Sequence, residues 1–594
     1  MHVIATAGHV DHGKSTLLRA LTGMEPDRWE VERRRGMTLD LGFVWTTLPT
    51  GVTVAFVDVP GHERFVPTML AGVGPVPAVL FVVAADEGWM PQSEEHLEAL
   101  DALNVRHGLL AVTRSDLADP ELAREEALEH LADSSLGRIP AVCVSGTTGA
   151  GLEKLRIALS ELVAGLPAPE VEADVRLWVD RVFTIHGAGT VVTGTLSGGT
   201  LHVGEELQVC PGGRRVRVRG LQSLGRPVSS VPAVARVALN LRGVPREALR
   251  RGDALLTPGA WLASSTLDVR ASRGPAAELP QQVMLHIGTA AVATRLRPLG
   301  EDTARLSLAH GLPLRIGDRA LLRDPGARRI PTGLTVLDVA PPELRRRGAA
   351  AVRARELSTM TGTPDGAAEL RRRGVVRRAE LIAMGAPAPP GAPQAGGWLI
   401  DPAMLAQRAT QLAAAVTAHA AANALEPGLP LETARRLTGM PDPRLVELLL
   451  RPQLGPPLTL TNGRVHLAEQ TITIPEAVRH AITEIRAGLA QRPFAAPEAH
   501  QLAELGLGSK ELAVSVRAGE LIKIAEGIYL APGAEEAAIP RLRDLPSPFT
   551  LSQARQALDT TRRVAVPLME LLARRGITRQ LPNGTHEFHS AAQV

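Results

Sequence analysis

The residues from Gly8 to Ser15 constrain the fold more than any other part of the chain. They read Gly8-His-Val-Asp-His-Gly-Lys-Ser15 and lie between an apolar run over 2–8 and an amphipathic stretch over 16–21. Glycines at a strand-to-helix turn let consecutive backbone N–H groups converge on an anion at the helix N-terminus. The lysine would place its charge on phosphate oxygens, and the serine hydroxyl would ligate Mg²⁺. The pattern predicts an α/β domain with a phosphate loop.

The chain up to about residue 165 alternates between short apolar runs and amphipathic stretches. Each apolar run is bounded by glycine, proline or aspartate, which is typical of a parallel sheet covered by helices. The apolar runs are Val52–Val59, Ala78–Ala85, Leu109–Thr113 and Ala141–Ser145, and the amphipathic stretches are Ser93–Leu103, Glu121–Leu131 and Leu152–Val163.

Two further changes of pattern divide the rest of the chain. After the linker Pro167-Ala-Pro169, β-branched runs with glycine turns continue to about Val339 and predict one or two small β-barrels. From about Pro341, helical segments are each followed by a short β-like pair, which is the plan of a winged helix. The predicted domains are a nucleotide-binding domain at 1–168, β-barrels at 172–259 and 260–340, and winged helices at 341–402, 403–470, 471–535 and 536–594.

Composition excludes several classes of protein. A chain of 594 residues with 45% hydrophobic and 21% charged residues and a net charge of +3 is neither disordered nor evenly basic. Two cysteines cannot form a disulfide framework, and the apolar N-terminus lacks the charged leader of a signal peptide. The apolar stretch Val73–Ala85 contains two prolines and is shorter than the ~20 residues that span a bilayer, so a buried strand is expected there. We expect a cytoplasmic monomer without membrane contact.

A second motif supplies the partners of a phosphate loop. Asp58-Val-Pro-Gly61-His62 ends a buried apolar run, where the carboxylate could reach the same Mg²⁺ and the glycine N–H could sense a γ-phosphate. Thr38, in Arg35-Gly-Met-Thr38, could add a second hydroxyl to the metal. In this order the motifs indicate a switch in which γ-phosphate and Mg²⁺ order two loops and hydrolysis releases them.

With these motifs the sequence resembles the translational GTPases of the elongation factor Tu class. The resemblance implies that His62 positions the attacking water as the catalytic residue, and that GTP or GDP and Mg²⁺ are the cofactors. It further implies that Ser15, Thr38 and Asp58 serve the metal. The nucleotide-binding residues so implied in the two motifs are Asp11, His12, Gly13, Lys14, Ser15, Thr16, Asp58 and Gly61.

The guanine-binding motif of that class, Asn-Lys-x-Asp, reads Thr113-Arg114-Ser115-Asp116 here. The resemblance implies that Asp116 accepts hydrogen bonds from guanine, while Ser145 and Gly146 occupy the position of the closing Ser-Ala motif. Thr113 and Arg114 replace the residues that usually tie this side of the site together. We therefore expect guanine preference with weaker retention of the nucleotide.

The first predicted barrel is similar to that of the bacterial selenocysteine-specific elongation factors. The similar stretches run from Asp180 to Thr195 and from Ala235 to Leu241. The resemblance implies that Asp180, Arg181 and Arg236 surround the aminoacyl side chain. A selenol is ionised near neutral pH whereas a serine hydroxyl is not, so guanidinium groups would favour selenocysteine.

The last 54 residues carry an excess of positive charge. From Arg541 onward eight arginines face four acidic residues, while the remaining residues sum to about −1. Such a local excess is typical of a nucleic-acid surface. The region resembles the terminal winged helix with which the same family binds a messenger RNA hairpin. The candidate RNA contacts are Arg562, Arg563, Arg574, Arg575 and Arg579.

The sequence as a whole predicts a multidomain protein with an α/β P-loop GTPase domain, then β-barrels, then C-terminal tandem winged-helix domains. The favoured function is delivery of selenocysteyl-tRNA to the ribosome at UGA codons, tethered to a hairpin in the message. Two alternatives remain: a general tRNA-delivery or initiation GTPase, and a nucleotide-switched DNA-binding regulator, since winged helices often bind DNA.

Overall fold

The computed structural model of the chain describes residues 1–26, 38, 40–62, 65–74, 76–186, 189–327, 329–423, 428–468 and 474–589. Contacts divide the chain into two units, Met1–Gly391 and Ala392–Val594. Parts of two motifs quoted above, residues 35–37 and 187–188, lie outside the described residues.

The first unit begins with a six-stranded sheet in the order β2-β3-β1-β4-β5-β6. Only β2 is antiparallel to its neighbour, and the other pairs are parallel. The strands are β1 His2–Ala7, β2 Gly42–Thr47, β3 Thr53–Asp58, β4 Ala78–Ala84, β5 His107–Thr113 and β6 Ala141–Cys143. The helices are α1 Lys14–Thr22, α2 Val66–Val73, α3 Pro91–Ala102, α4 Glu121–Ala132 and α5 Leu152–Ala164.

Both faces of this sheet are buried, because helices cover each of them. Leu17 and Leu159, from α1 and α5, pack on one face, and Met69 and Leu100, from α2 and α3, pack on the other. The apolar stretch Val73–Ala85 contains the last residue of α2 as well as β4. The observed strand is therefore shorter than the predicted one. It starts only after Pro77, whose missing N–H cannot join the sheet.

Two barrels follow. The first contains β7 Arg176–Ile185, β8 Gly189–Leu196, β9 Thr200–His202, β10 Glu206–Cys210, β11 Arg215–Ser223, β12 Arg226–Val228, β13 Ser230–Pro232, β14 Ala235–Arg242 and β15 Ala254–Leu256. Seven of these strands form one sheet, which is closed by the pairing of β10 with β11, and β9 pairs with β13 in a separate small sheet. The second is a closed barrel of β16 Ala263–Ala271, β17 Gln282–Ile287, β18 Ala290–Pro298, β19 Thr303–Pro313, β20 Arg319–Asp324 and β21 Arg329–Asp338.

A buried ion network joins the second barrel to the helices after it, α6 Ala349–Thr359 and α7 Gly366–Arg373. The Asp268 carboxylate, on β16, accepts hydrogen bonds from Arg305 on β19 and from Arg353 on α6. Asp338, at the end of β21, accepts from Arg353 and from Arg373 on α7. Because both carboxylates are almost fully buried, each depends on these guanidinium groups.

Substitution Arg353→Leu should lower the free energy of unfolding by about 3 kcal/mol, because it leaves part of a buried carboxylate pair uncompensated. The measurement is urea unfolding followed by tryptophan fluorescence. The matched control is Arg345→Leu, since Arg345 forms an exposed ion pair with Glu343 that should contribute about 1 kcal/mol or less. Equal stability of the two variants would contradict this role of the network.

The elements after α7 repeat a helix-rich plan with small antiparallel sheets. The first unit ends with β22 Val375–Arg377 and α8 Arg378–Ala383. The second unit contains β23 Gln394–Ala395, β24 Trp398–Ile400, α9 Pro402–Ala422, β25 Leu429–Pro430, α10 Leu431–Thr438, α11 Pro443–Leu449, β26 Leu458–Thr461, β27 Arg464–Leu467, α12 Glu476–Gln491, α13 Ala499–Glu504, α14 Ser509–Arg517, β28 Ile522–Ala525, β29 Ile528–Leu530, α15 Ala534–Arg543, α16 Leu551–Ala557, α17 Arg562–Arg574, β30 Thr578–Gln580 and β31 His586–Phe588.

The predicted fold class is confirmed: an α/β nucleotide-binding domain precedes two barrels and winged helices. Residues of α12 to α17 share one hydrophobic cluster, in which Phe494 and Phe549 are fully buried. The helices in the described part of the chain fall short of the apolar length that a bilayer crossing requires.

Candidate functional site

The residues between β1 and α1 form an anion-binding turn. Asp11 and Gly13 adopt left-handed backbone, with φ of 66° and 76°, on either side of the buried His12. Such alternation directs neighbouring N–H groups toward one side of the chain. Gly8 has a φ of 125°, and a Cβ there would lie 2.1 Å from the Val82 carbonyl oxygen of β4, so only glycine fits. The turn lines a cavity of about 230 Å³.

Lys14, the first residue of α1, is buried at the floor of this turn. Its Nζ donates hydrogen bonds to the Gly8 and His9 carbonyl oxygens, at 2.9 and 2.5 Å. Burial lowers the pKa of the Lys14 ammonium to about 8. A Cβ on Gly61 would lie 2.7 Å from this Nζ, so the backbone of Gly61 is directly beside the lysine. An anion bound between them would favour the charged ammonium.

Three oxygen donors meet beside the loop. The Ser15 hydroxyl donates to the Asp58 carboxylate at 2.7 Å and lies 3.0 Å from the Thr38 hydroxyl. Hydroxyl and carboxylate oxygens are ligands that Mg²⁺ prefers, so these residues fit the metal implied by the sequence. Within the described ranges no cluster of three or more histidine, cysteine, aspartate or glutamate side chains could hold a metal. The oxygen site differs from such clusters because two of its three donors are hydroxyls.

Helix α3 supports the loop through two side chains that the sequence motifs did not indicate. The Nδ1 atom of His96 accepts a hydrogen bond from the Gly8 N–H at 3.0 Å, and the Gln92 side chain accepts from the Val10 N–H at 3.0 Å. Burial lowers the pKa of His96 to about 3, so its imidazole is neutral and can accept. One sequence signal was available for this contact. Gln92 and His96 are polar residues four positions apart, in the first half of a helix that follows a buried strand.

Thr113 and Arg114 connect the predicted guanine-binding turn to the phosphate loop by hydrogen bonds. The Thr113 hydroxyl donates to the His12 carbonyl at 2.7 Å, and the Arg114 guanidinium donates to the Asp11 carbonyl. Asp86 and Glu87, after β4, hold that guanidinium in place with carboxylate contacts of 2.8 and 2.9 Å. The expectation of weaker nucleotide retention assumed that Thr113 and Arg114 do not hold this side of the site together. In the structure both residues do hold it, through hydrogen bonds to the phosphate loop.

The other predicted base-side residues lie near the same loop. Asp116 is exposed on the turn after β5. Ser145 is buried after β6, and a Cβ on Gly146 would lie 3.2 Å from the Thr16 side chain of α1. The N–H of Ser115 donates to the Val144 carbonyl, which joins the two turns. The structure thus brings the predicted base-side turns together next to the phosphate loop.

Arg114→Ala should speed the release of GDP by about 10-fold or more, because a charge-assisted hydrogen bond that steadies the loop is lost. The rate is measured by a stopped-flow chase with fluorescent GDP. Arg124→Ala is the matched control, since Arg124 pairs with Glu121 on α4 of the same domain, away from the loop. An unchanged release rate for Arg114→Ala would show that the tie does not govern retention.

His62 lies just beyond Gly61 and is partly buried. Its ring approaches the Phe65 ring edge-on, with centroids 6.1 Å apart. The role of His62 in positioning water stays a prediction. His12, in the phosphate loop, has a different environment from His62. Its ring lies 3.3 Å from the Val82 carbonyl oxygen, and burial lowers the pKa of His12 to about 3. A neutral, buried imidazole makes His12 part of the support of the loop.

The three predicted aminoacyl-pocket residues meet on the first barrel. The Asp180 carboxylate of β7 accepts two hydrogen bonds from the Arg236 guanidinium of β14 and one from the Thr193 hydroxyl. Burial alone would raise the pKa of Asp180, but the Arg236 charge holds it below its usual value. A bulge between Val179 and Arg181 shifts the strand register, which lets adjacent side chains serve one site.

Arg181 reaches across to the nucleotide-binding domain. Its guanidinium donates to the Leu41 carbonyl, lies 2.9 Å from the Asp40 carboxylate, and is 5.2 Å from the centre of the Phe43 ring. The Arg236 guanidinium lies 3.5 Å over the same ring. The two arginines and Phe43 line a cavity of about 240 Å³. Asp40, Leu41 and Phe43 could not be found from sequence patterns, because nothing in the sequence brings β2 to the barrel.

The five C-terminal arginines do not share one environment. Arg563 donates to the Ala496 and Pro497 carbonyls, Arg575 pairs with Glu535, and Arg579 pairs with Glu587 across the β30–β31 hairpin. Arg562 is exposed at the start of α17, and Arg574 contacts only the Glu570 carbonyl of its own helix among the described residues. The structure therefore leaves Arg562 and Arg574 most open to a partner.

Four family models match the chain in the order of these domains. They are described as the elongation factor Tu GTP-binding domain at 1–165, elongation factor Tu domain 2 at 189–256, the selenocysteine-specific elongation factor β-barrel domain at 266–343, and the elongation factor SelB winged helix at 541–586. A phosphate loop, a switch threonine and two barrels in this order define a translational GTPase of the elongation factor Tu class.

Similar whole proteins agree with this assignment. Elongation factor Tu 2 of Streptomyces avermitilis is 35% identical over 45% of this chain and 75% of its own length. The selenocysteine-specific elongation factor of Desulfomicrobium baculatum is 41% identical over 54% of this chain and 53% of its own length. The aligned chain spans about half the length of that relative. The chain belongs to the elongation factor Tu class of translational GTPases, and it is similar to the selenocysteine-specific elongation factors.

A solved structure shares the whole fold. The crystal structure of a bacterial selenocysteine-specific elongation factor superposes with a TM-score of 0.77 and covers 99% of both chains, at 24% sequence identity. At this level of identity the superposition supports the fold alone. The roles of individual residues rest on the geometry described above.

Proposed function

We propose that this chain hydrolyses GTP while it delivers selenocysteyl-tRNA to a ribosome at a UGA codon. We further propose that its last winged helix, residues 536–594, holds it to a hairpin of the message. The observation that carries the proposal is the cavity between β2 and the first barrel, with two guanidinium groups in its wall. The reaction belongs in the cytoplasm, and both cysteines are free thiols, which suits a reducing compartment.

The nucleotide side of the proposal assigns a task to each group. Lys14 and the N–H groups of the loop would hold the β- and γ-phosphates, and Asp116 would accept from guanine. Ser15, Thr38 and Asp58 would hold Mg²⁺, which supplies charge neutralisation of the phosphates. His62 would orient the attacking water once the ribosome is engaged, because it follows the glycine beside Lys14.

The charge of the cavity favours an anionic side chain. Asp180 offsets one guanidinium through a two-pronged hydrogen-bonded pair, and Arg181 faces the cavity from the next residue of β7. A selenolate would gain an ionic hydrogen bond there, whereas a serine hydroxyl would gain a neutral one. A DNA-binding regulator would have no use for such a cavity, and a general tRNA carrier would gain nothing from its charge.

The test compares selenocysteyl-tRNA with seryl-tRNA on the same tRNA body, in the presence of a GTP analogue. Arg181→Gln should weaken selenocysteyl-tRNA binding by about 10- to 100-fold and leave seryl-tRNA nearly unchanged, since one charge-assisted hydrogen bond is lost. Arg215→Gln, in an exposed ion pair of the same barrel, is the control. Equal losses for both tRNAs would assign Arg181 to the tRNA body or to the fold.

The proposed tether is best tested with point substitutions. Deleting residues 541–594 would expose the cluster that α12 to α17 share, so a loss of binding could reflect unfolding. Single charges can instead be removed from the exposed surface of the full chain. Their effect on a phosphate contact appears in the salt dependence of RNA affinity.

Arg562→Gln and Arg574→Gln should each weaken hairpin binding and reduce the slope of log affinity against log salt by about 1. Arg579→Gln should change both less, because its guanidinium already pairs with Glu587 at 2.6 Å. Filter binding with the cognate hairpin from 50 to 300 mM salt measures both quantities. If all three variants bind as the unsubstituted chain does, the message contacts lie outside this unit.

A further inference from the structure

A second concentration of positive charge lies outside the sites described above. Residues 341–378, which we call the arginine segment, contain ten arginines and four acidic residues. This gives a net charge of +6 over 38 residues, whereas the last 54 residues of the chain carry +4. The segment follows the second barrel and contains α6 and α7. Its charge is therefore denser than that of the proposed message-binding unit.

The acidic side chains of the arginine segment already have partners. Glu343 pairs with Arg345 at 2.6 Å, and Glu356 and Glu369 pair with arginines of the buried network. The Asp365 carboxylate accepts hydrogen bonds from backbone N–H groups at the start of α7. Within the described residues, five exposed guanidinium groups of the segment have no carboxylate partner. They belong to Arg346, Arg347, Arg355, Arg371 and Arg378.

The helices turn some of these arginines away from the barrel. On α6, Arg353 is buried in the ion network, whereas Arg355 lies about 200° farther around the helix and is exposed. The Glu356 carboxylate lies 3.7 Å from the Arg372 guanidinium, so α6 and α7 are adjacent. Arg355 and Arg371 each directly precede a member of this pair, and both are exposed. Neighbouring helices thus present unpaired charges on the same part of the surface.

The fold itself gains little from the unpaired arginines. Arg346 and Arg347 directly precede Gly348, the N-cap of α6, where the positive end of the helix dipole disfavours cations. Clustered charges of one sign also repel each other. Between them, Ala351 of α6 and Ala367 of α7 are exposed and short, so a large ligand can approach the backbone. Such a surface is complementary to a polyanion.

The arginine segment is held in place relative to the aminoacyl cavity. Arg353 and Arg373 bind the buried carboxylates of the second barrel, and Arg176 of the first barrel pairs with Asp318 of the second. The segment and both barrels belong to the same compact unit. A tRNA whose aminoacyl end occupies the cavity would therefore present its phosphates to this unit at constant positions. The message hairpin is assigned to the other unit, so the tRNA is the polyanion that fits.

We propose that the arginine segment binds the phosphate backbone of the tRNA body, outside the aminoacyl cavity. This inference rests on the proposed function, because that function brings the tRNA to the barrels. Phosphate contacts add affinity and orientation but do not distinguish one aminoacyl group from another. The segment therefore strengthens binding of the tRNA, while the cavity selects its amino acid.

The experiment measures equilibrium binding of selenocysteyl-tRNA and seryl-tRNA on the same tRNA body, with a non-hydrolysable GTP analogue, from 50 to 300 mM salt. Two double variants of the full chain are compared with the native chain. One combines Arg355→Gln with Arg371→Gln, and the other combines Arg346→Gln with Arg347→Gln. Unaltered GDP affinity and an unaltered midpoint of urea unfolding report that each variant is folded.

Each double variant should reduce the slope of log affinity against log salt by about 2, because two phosphate contacts are lost. Affinity for both tRNAs should fall by the same factor, so the preference between them stays as in the native chain. The matched control combines Arg436→Gln with Arg486→Gln, which removes two exposed, carboxylate-paired charges from the second unit. The control should keep the native slope for both tRNAs.

Two results would overturn the inference. One is a native salt slope and native tRNA affinity in both double variants. The other is a loss of binding to the message hairpin, measured with the same variants, while tRNA binding stays native. The second result would assign the surface to the message.

A failure of the proposed function gives a different result. The native chain would then bind the two tRNAs with equal affinity, and Arg181→Gln would leave their ratio unchanged. If the native chain prefers selenocysteyl-tRNA but both double variants keep its salt slope, only the inference is wrong. The proposed function then stands without this contact to the tRNA body.

Discussion

The structure of the nucleotide site depends on one buried charge, the Lys14 ammonium. Burial lowers its pKa to about 8, and among the described residues the acceptors of its hydrogen bonds are the Gly8 and His9 backbone carbonyls. A buried ammonium is costly unless an anion compensates it, so the site is built to take phosphate. Gly61 follows from the same constraint, because a Cβ there would lie 2.7 Å from the Lys14 Nζ. The neutral His96 follows as well, since a second cation below the loop would oppose the first.

Arginine does most of the joining between domains. Only four lysines occur in the chain, and guanidinium groups make each of the buried ion pairs described here. A planar fork can satisfy a buried carboxylate with two parallel hydrogen bonds, as Arg236 does for Asp180, while an ammonium cannot. The same chemistry holds α6 to the second barrel through Asp268. Arginine, which suits the binding of anions, thus also links neighbouring parts of the fold through buried ion pairs.

Much of this could be predicted from the sequence, because local patterns determine it. The phosphate loop is set by eight adjacent residues, and the strands of the first sheet by their continuous apolar runs. The support of the loop by Gln92 and His96 could not be predicted, since it depends on how α3 packs beneath β1. Nor could charge counting tell Arg562 from Arg579, because only the fold brings Glu587 opposite Arg579. The sequence shows which charged side chains a segment contains. Tertiary contacts decide which of those side chains already form ion pairs within the protein.

The position of β2 explains why one segment can serve two sites. It is one of the two edge strands of the first sheet, antiparallel to β3 and, among the described strands, without a second neighbour. An edge strand can shift with fewer broken hydrogen bonds than a central strand, because only one ladder holds it. Phe43 lies on this strand, and Asp40 and Leu41 directly precede it. The chain therefore places its contact with the barrel on and directly before an edge strand, two residues after Thr38, whose hydroxyl lies beside that of Ser15.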